Sequence, residues 1–373
     1  MRAFIKITII SLILIACIII LLIYNKSHKI STNKSINMFK LNYKIIQVNF
    51  PSNSDPTQQI QQALNTAKNS RQPIKVLIPE GNFVLTHALH IYSNTWLCLS
   101  PTTTFLKSYN NKESMLLNGD TGANYYKYNG NSNIIIDGGI WDANGIFTPS
   151  VIGISHGKNI IVQNITVKDV MAGHAIDCAG NKEVEIRNNK FLGYKKVKNE
   201  LYPEAIQIDG LVSKRVFTGF GNIDFTVSKN INIHNNYFGN SYLPGMLPWG
   251  VGVGSHTASY QSPFVKINIK NNVFEGMTFT AVRIHNWQDI NIENNYFRSC
   301  NQGIQIDTKD ITYSPNNPNS PKLNKLVISN INILENQFNN IKQYAIKLLG
   351  NYDEYQKYII SRNNVFINSK QEF

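Results

Sequence analysis

Acidic and basic side chains recur at matching places in a series of short, strand-like segments of this sequence. The six segments are HAIDC (174–178), EAIQID (204–209), GVGVGSH (250–256), AVRIH (281–285), GIQID (303–307) and YAIKLL (344–349). Only 16 % of the residues are charged, so this concentration of Asp, Glu, His and Arg is unusual. The pattern predicts that one face of a sheet carries a functional site.

The alternation within each segment predicts which side chains share that face. Successive side chains of a strand point to opposite sides, so the apolar residues face a core and the polar ones face outward in two columns. The first predicted column is Asp177, Gln207, Gly252, Arg283, Gln305 and Lys347. The second is Ala179, Asp209, Gly254, His285, Asp307 and Leu349. The residues predicted at the strand starts are His174, Glu204, Trp249, Thr280 and Gln302.

Two aspartates in these columns have the spacing of an acid–base pair. If successive segments stack as strands about 4.8 Å apart, with outward neighbours about 6.6 Å apart along a strand, the backbones of Asp177 and Asp209 lie about 8 Å from each other. Inverting glycosidases hold two carboxyl groups at such a separation, one to protonate the leaving oxygen and one to activate water. We expect Asp177 and Asp209 to be catalytic, with Glu204 as a third candidate.

The other polar residues of this face are predicted to bind the substrate. Arg283 and His285 would hold a substrate carboxylate or stabilise developing negative charge, and Trp249 would stack on a sugar. The further members of the predicted binding set are His174, His256, Gln207 and Asp307. The same groups also suit a lyase, in which a base removes the proton next to a uronate carboxylate neutralised by Arg. Hydrolysis and elimination therefore both stay open.

A second motif recurs between these segments and indicates the scaffold. It reads Ile-x-Ile-x-Asn-Asn-x-Phe and is clearest in the copies that end at Phe238, Phe274 and Phe297. The shortest spacing is 23 residues, and a period in the low twenties with strand-like pieces is the signature of a solenoid. With two strands and no helix in each unit, the sequence predicts an all-β fold and excludes βαβ folds.

The residues before the first repeat predict a cap for the solenoid. Asp55 and Pro56 are typical of a helix start. The apolar residues that follow at helical spacing are Ile60, Ala63, Leu64 and Ala67. A short amphipathic helix here would cover the apolar cross-section and the strand edges that the end of a solenoid exposes.

The N-terminal segment is predicted to direct the protein to a membrane. Arg2 and Lys6 precede an uncharged apolar run over residues 7–24, which is about the minimum length for a membrane span. We interpret residues 1–24 as a signal anchor or signal peptide, with lipidation at Cys17 as an alternative. Residues 25–44 are then a linker and residues 45–373 the solenoid domain. We expect that domain outside the cell, membrane-tethered or secreted if the leader is cleaved.

The charge of the chain bears on its partners. The formal net charge is +13, and the lysines are scattered along the chain instead of being grouped in basic clusters. A scattered positive field suits an acidic polysaccharide or a lipid surface, although a generally Lys-rich composition explains it equally well. No Arg-rich or aromatic-interleaved motif points to nucleic acid. The cysteines form no CxxC pair, so we expect no metal and no cofactor, with calcium as the exception if the enzyme is a lyase.

Two segments carry a resemblance to known families. The predicted helix followed by IPEGNFVL (78–85) looks like the N-terminal cap of pectate-lyase-like β-helix proteins. NIIIDGGIWDANG (133–145) resembles the strand that opens the polygalacturonase-like glycoside hydrolase fold. The resemblance covers residues 45–368 and implies a right-handed, single-stranded parallel β-helix. Proteins of this superfamily include hydrolases, lyases, epimerases and non-catalytic binding proteins, so the fold alone does not select an activity.

The signature residues of polygalacturonases are only partly present. Arg283 and Ile284 match the Arg-Ile-Lys signature, with His285 in place of Lys. Glu204 falls at the second Asp of the Asp-Asp signature, and His174 falls where the Asp of an earlier signature stands in the family. Trp249 falls at the His of Gly-His-Gly. These departures argue against simple pectin hydrolysis and leave a divergent carbohydrate enzyme.

The sequence as a whole predicts an extracytoplasmic enzyme that hydrolyses glycosidic bonds of an acidic polysaccharide by carboxylate acid–base catalysis. A polysaccharide lyase or epimerase of the same fold is the nearest alternative. A non-catalytic glycan-binding surface protein, or adhesin, is the alternative from another class. The cluster around Asp177, Asp209 and Arg283 favours an enzyme, because a pure binder is expected to show aromatic platforms instead.

Overall fold

The part of the chain that contains the repeats forms one compact unit. A computed structural model describes residues 38–197, 203–214, 217, 219–256, 263–285, 287–307, 328–350 and 356–371. By internal contacts the chain divides into residues 1–43 and 44–373, and the architecture below is that of the second unit. The predicted membrane segment, residues 7–24, lies outside the described residues. Within them, no helix is both long and apolar enough to cross a membrane.

Thirty strands, numbered in chain order over the described residues, form three parallel sheets. Sheet A contains β1 (Lys44–Gln47), β2 (Ile74–Ile78), β5 (Thr95–Leu99), β8 (Ile134–Asp137), β11 (Lys158–Gln163), β14 (Lys182–Arg187), β17 (Lys229–His234), β20 (Phe264–Lys270), β23 (Trp287–Glu293), β26 (Ser329–Leu334) and β29 (Ile359–Arg362). Sheet B contains β3 (Asn82–Leu85), β6 (Thr104–Lys107), β9 (Ile140–Asp142), β12 (Thr166–Met171), β15 (Lys190–Lys195), β18 (Tyr237–Gly239), β21 (Val273–Glu275), β24 (Tyr296–Arg298), β27 (Gln337–Asn339) and β30 (Val365–Ile367). Sheet C contains β4 (Leu89–His90), β7 (Leu116–Leu117), β10 (Ser150–Ser155), β13 (His174–Ala179), β16 (Glu204–Asp209), β19 (Val251–Gly254), β22 (Thr280–His285), β25 (Ile304–Asp307) and β28 (Ile346–Leu349).

From β2 onward the chain visits sheets A, B and C in rotation, and each strand pairs in parallel with its equivalent in the next turn. This is the arrangement of a parallel β-helix, and parallel crossovers are right-handed in nearly all proteins. The predicted all-β solenoid is therefore confirmed. The prediction of two strands per unit is wrong, because the Ile-x-Ile-x-Asn-Asn-x-Phe motif bends in its middle and supplies one strand to sheet A and one to sheet B.

The bend between sheets A and B depends on the paired asparagines. The first residue of each pair has a left-handed backbone, with φ between 54° and 57° at Asn188, Asn235, Asn271 and Asn294. Asn tolerates this region better than other residues with a β-carbon. The chain therefore turns sharply after the sheet A strand and enters sheet B two residues later.

The second asparagine of each pair is buried and connects the turns of the solenoid. At Asn295 the side-chain Oδ1 accepts the backbone N–H of Asn272 at 2.9 Å, and Nδ2 donates to the Ile269 carbonyl at 2.8 Å. Equivalent bonds recur along the column of Asn189, Asn236, Asn272, Asn295, Asn336 and Asn364. Backbone groups at a buried corner need such partners, so the asparagines are structural, as their position in the motif predicts.

Apolar side chains fill the interior in stacked rows. Phe238, Phe274, Phe297 and Phe338 stack ring on ring with centroids 4.6–5.1 Å apart, close to the spacing of neighbouring strands. Isoleucines form parallel rows in sheets A and C. In sheet A, for example, Ile267, Ile290 and Ile331 pair in register. The rows belong to one continuous core.

The N-terminal end of the solenoid carries the predicted helix, α1 (Pro56–Asn65), followed by a 3₁₀ turn at Thr66–Asn69. A second 3₁₀ turn spans Gln356–Tyr358. Asp55 accepts the backbone N–H of Thr57 at 2.9 Å, and Pro56 opens the helix. Ile60 and Leu64 are fully buried against the first turn, so the predicted cap is confirmed.

The buried asparagine column yields a first testable prediction. Asn295→Ala leaves the Asn272 N–H and the Ile269 carbonyl without partners in a buried corner, and each such loss costs about 1–3 kcal/mol. We expect a fall of that order in the free energy of unfolding, measured by urea denaturation. Asn291→Ala is the matched control, because Asn291 is half-buried on the outward side of sheet A and its side chain bonds the side chains of Asn268 and Asn332 instead of the backbone. Equal losses in both variants would contradict the assignment.

Candidate functional site

The outward face of sheet C brings together the two predicted catalytic aspartates. Asp177 on β13 lies beside Gln207 on β16, and Ala179 lies beside Asp209. The two aspartates are thus one turn apart and offset by two residues along the strand, as the alternation predicts. The flanking Ile206 and Ile208 are fully buried in the core, which fixes the direction of both acidic side chains.

A cavity of about 590 Å³ opens over this part of sheet C. Among the described residues, its walls come from the sheet C strands β4, β7, β10, β13 and β16 and from the loops beside them. Five predicted site residues line it: Asp177, Asp209, His174, His256 and Gln207. The other five, Glu204, Arg283, His285, Trp249 and Asp307, are not among the described residues that line it.

The two aspartates have different electrostatic environments. Asp177 is only 7 % exposed, and this burial is the first cause that raises its pKa well above 3.8; the nearby Asp209 carboxylate raises it further, while His256 acts in the opposite sense. Asp209 is fully buried, and its Oδ1 accepts the backbone N–H of His256 at 3.1 Å. A main-chain donor favours the ionised form of a carboxyl group. Asp177 is therefore suited to hold a proton, whereas Asp209 accepts a bond from the main chain of the next turn.

Glu204 and two histidines form a cluster at the edge of the cavity. Glu204 is fully buried, and its Oε2 lies 2.6 Å from His256 Nε2 and 4.0 Å from His174 Nδ1. His174 Nδ1 also lies 2.8 Å from the Glu204 carbonyl oxygen. Burial lowers the pKa of His174 to about 4 despite the nearby Glu204 carboxylate. His174 is therefore neutral at pH 7, and its Nδ1 is a donor to the carbonyl.

The predicted columns are wrong by two residues at β19. Gln207 pairs with Gly254 rather than Gly252, and Val253 pairs with Val282, which places Gly254 next to Arg283. Gly252 and Gly254 carry no side chain, so alternation cannot distinguish registers that differ by two. The shift brings His256, at the end of this segment, next to Asp209.

Arg283, His285 and Asp307 do not reach the cavity in the way predicted. Arg283 is 7 % exposed; its Nη2 lies 3.5 Å from Asp307 Oδ2, and its Nη1 donates to the Ser255 carbonyl at 3.3 Å. His285 is fully buried, and burial, followed by the charges of Arg283 and His256, lowers its pKa to about 3. The predicted roles in holding a substrate carboxylate therefore do not fit, because the Arg283 charge is committed to Asp307 and His285 is neutral.

Trp249 is also placed differently from the prediction. It is fully buried, it belongs to the hydrophobic core, and its ring lies 4.8 Å from that of Tyr194. The strand begins only at Val251, so Trp249 fills the end of the core where the loop returns. Its predicted role as an exposed surface for a sugar is wrong.

The N-terminal part of the cavity consists of residues that the repeat pattern does not identify. They are His87, His90, Lys112, Glu113 and Phe217. Buried Lys107 fixes one of these loops, because its Nζ donates to the carbonyls of Glu113 and Phe147 at 2.7 and 2.8 Å. His90 ends β4, and the other four lie in loops of irregular length, so the only signal for them in the sequence is the length of the loops themselves.

A metal site was not predicted, and calcium was expected only for a lyase. Over the described residues, no group of three or more His, Cys, Asp or Glu side chains has the arrangement of a metal site. The expectation of no cofactor stays a prediction.

Comparison with known proteins relates this geometry to two kinds of protein. No protein-family model matches the chain. The chain is 30 % identical over 355 residues to the plasmin and fibronectin-binding protein A of Streptococcus pneumoniae, which corresponds to 85 % of this chain and 48 % of that protein. It therefore spans about half the length of the curated relative that it matches.

Solved structures show the same fold. The crystal structure of PfbA, a surface adhesin of Streptococcus pneumoniae, aligns with a TM-score of 0.64 at 23 % identity over 88 % of this chain and 80 % of that one. A family 28 exopolygalacturonase of Yersinia enterocolitica aligns with a TM-score of 0.56 at 13 % identity, over 89 % and 67 %. An iota-carrageenase bound to carrageenan fragments aligns with 0.53 at 14 %, over 75 % and 61 %. At these identities the likeness establishes the fold alone.

The raised pKa of Asp177 has a consequence for stability that can be measured. Because the native state binds this proton more tightly than the unfolded state, the free energy of unfolding falls as the pH rises above the ordinary pKa of an Asp side chain. In Asp177→Asn no carboxyl group ionises at this position, so this fall does not occur. We expect the variant to match the wild type near pH 4 and to melt at a progressively higher temperature than the wild type toward pH 8, by calorimetry.

The control for this experiment is Asp137→Asn. Asp137 lies on β8 in sheet A, where it accepts bonds from Trp96 and Asn164. Its replacement should lower the melting temperature, and the difference from the wild type should not turn into an increase toward high pH. A difference between Asp177→Asn and wild type that does not change with pH would contradict the burial argument.

Proposed function

Because this chain belongs by its fold to the pectin-lyase-like parallel β-helix proteins, we propose that it binds a polysaccharide in the cavity of sheet C and hydrolyses it. The observation that carries the proposal is the pair of buried aspartates on neighbouring turns, of which Asp177 has a raised pKa and Asp209 accepts a main-chain N–H. The proposal extends to a location outside the cell, because the pneumococcal protein with the same fold is a surface adhesin.

In the proposed reaction Asp177 is the general acid. Its burial keeps the proton on the carboxyl group, and Oδ1 is buried with no hydrogen-bond partner among the described residues. A glycosidic oxygen placed next to Asp177 would receive that proton as the bond to the sugar breaks. A carboxylic acid with a raised pKa is what this step requires at neutral pH.

Asp209 is the proposed general base. The backbone N–H of His256 stabilises its charge, and the offset between the two aspartates leaves room for a water molecule between the base and the sugar. Inverting glycosidases hold their two carboxyl groups about 6.5–9.5 Å apart and retaining ones about 5 Å apart, and a backbone separation of about 8 Å is compatible with the wider arrangement. The proposed outcome is therefore inversion at the anomeric carbon.

The arrangement favours hydrolysis over elimination. A lyase must neutralise the uronate carboxylate next to the proton that is removed, and the sequence assigned that task to Arg283. Arg283 is instead buried and paired with Asp307, and it is not among the described residues that line the cavity. Those residues supply an acid and a base without a guanidinium group beside them.

An adhesin is the second candidate, and the 30 % identity to a plasmin and fibronectin-binding protein favours it. In that case the cavity would hold a glycan, or be covered by a protein partner, without cleavage. The acidic character of the glycan remains part of the proposal in either case. It is supported by the net charge of +13 and by Lys112 and the histidines around the cavity.

The test is to incubate the protein with a panel of acidic and neutral polysaccharides. Cleavage is monitored both by the release of reducing ends and by ultraviolet absorbance. We expect reducing ends without the absorbance of an unsaturated uronate. Asp177→Asn and Asp209→Asn should each lower kcat by about 100- to 10,000-fold, because each removes one partner of the acid–base pair. Asp137→Asn on sheet A is the control and should retain activity.

Three results would count against the hydrolase. Absorbance that rises with cleavage would identify a lyase. A loss below tenfold in both variants would exclude the aspartates as the pair. Tight binding of a glycan, or of plasmin or fibronectin, with no cleavage of any polysaccharide in the panel would identify an adhesin.

A further inference from the structure

Glu204 is a fully buried carboxylate that the proposed reaction does not use. It is not among the described residues that line the cavity, so it is poorly placed to exchange a proton with a substrate. Its carboxylate nevertheless contacts the one cavity histidine that also bonds the proposed base. The structure therefore raises the question of what Glu204 does for Asp209.

The side chain of Glu204 has room because the next turn has a glycine beside it. A β-carbon added at Gly254 would lie 3.2 Å from Glu204 Cγ and 3.2 Å from Arg283 Cβ. No side chain fits there without displacing a neighbour. Gly254 thus lets Glu204 extend across β19 toward the end of that segment, where its Oε2 meets His256 Nε2 at 2.6 Å.

Two histidines flank this carboxylate, and only one of them is suited to be its cationic partner. His174 is 4.0 Å away and buried, with a pKa lowered to about 4. His256 is closer, and 40 % of its side chain is exposed, so its cation retains hydration while it contacts Glu204. An ion pair with a buried carboxylate favours the charged form of an imidazole.

His256 therefore has two contacts that point in different directions. Its imidazole contacts Glu204, and its backbone N–H donates to Asp209 Oδ1 at 3.1 Å. His256 lies two residues beyond the end of β19, so a contact made by its side chain helps to fix the direction of its main-chain N–H. Glu204 makes that contact from inside the protein.

We propose that Glu204 is a positioning residue: it anchors the His256 side chain and so keeps the His256 N–H directed at Asp209, the proposed base. This inference rests on the proposed function for its consequence in catalysis. It reassigns Glu204 from the catalytic set and His256 from direct substrate binding.

Several charged or titratable groups face His256 and enter any titration. Glu204 and Asp209 lie on β16, Asp177 and His174 on β13, and Arg283 and His285 on β22. His174 and His285 are neutral at pH 7, and Arg283 is paired with Asp307. The carboxylates of Glu204 and Asp209 therefore dominate the field at His256.

The experiment uses nuclear magnetic resonance on the full chain with labelled histidine, so it does not depend on turnover. Two signals are followed from pH 4 to 9: the His256 imidazole and the His256 amide proton, both assigned by their loss in His256→Gln. In Glu204→Gln we expect the imidazole titration midpoint to fall by about one unit or more. We also expect the pH-dependent shift of the amide proton, which follows the ionisation of Asp209, to shrink by at least half.

Gly254→Ala is a second variant that keeps the Glu204 carboxylate. Its new β-carbon would lie 3.1 Å from Val251 Cγ1 and 3.2 Å from both Glu204 Cγ and Arg283 Cβ. This crowds Glu204, so the same two changes are expected although no charge has been removed. Glu185→Gln is the matched control, since Glu185 Oε1 lies 3.1 Å from His234 Nε2 on sheet A. That variant should change the His234 signal and leave both His256 signals in place.

Where the wild type cleaves a glycan, Glu204→Gln should lower kcat at least tenfold with little change in KM. Unchanged His256 signals in Glu204→Gln and Gly254→Ala would overturn the inference. An imidazole that responds while the amide proton does not would overturn the link to Asp209. If no glycan is cleaved, the hydrolase proposal fails, and the magnetic resonance signals still decide whether Glu204 positions His256.

Discussion

The fold and the site both depend on the bond between a buried asparagine in one turn and the backbone of the next. An asparagine corner such as that of Asn294 and Asn295 bends the chain, and the bond from Asn272 N–H to Asn295 Oδ1 fixes the height of one turn on another. Because this contact repeats, the strands stay in parallel register over many turns. Residues remote in sequence then become neighbours, as Asp177 and Asp209 are.

This regular scaffold permits charge where a globular core would not. The outward face of sheet C rests on rows of isoleucine that hold the backbone rigid, so a carboxyl group can be buried by loops instead of by the core itself. Asp177, Glu204 and Asp209 are buried in this way. Burying charge opposes folding, and the continuous apolar interior compensates for it over the whole length of the solenoid.

The sequence predicts the regular part of this structure well and the site only in part. Alternation places Asp177, Gln207 and Asp209 correctly, because isoleucines on both sides mark the inward face. It fails at β19, where glycines replace the outward side chains and give no sign of the register. The same failure hides the contact of His256 with Asp209. The prediction for Trp249 is wrong because a tryptophan at the end of a loop has the same sequence pattern whether it is buried or exposed.

Other features lie beyond sequence patterns for a different reason. The pairing of Arg283 with Asp307 joins consecutive turns, and it can be recognised only when the register is known. Lys112 and Phe217 reach the cavity through loops of irregular length, whose path follows from packing and not from any period. Lys107 is an example: a lysine is expected to be exposed to solvent from its residue type alone, but this one is buried and fixes a loop at the cavity.

The chemistry of the cavity bears on the choice between an enzyme and an adhesin. A cavity that only binds sugar gains hydrogen bonds from Asn or Gln at no cost of burying charge, and this chain is rich in Asn. At positions 177, 204 and 209 it has carboxyl groups instead, one of them with a raised pKa and another in contact with a histidine. Proton transfer needs groups that differ in this way, whereas recognition does not. The similarity to a surface adhesin and the proposed acid–base pair are thus compatible, because a surface protein can bind the same glycan that it cleaves.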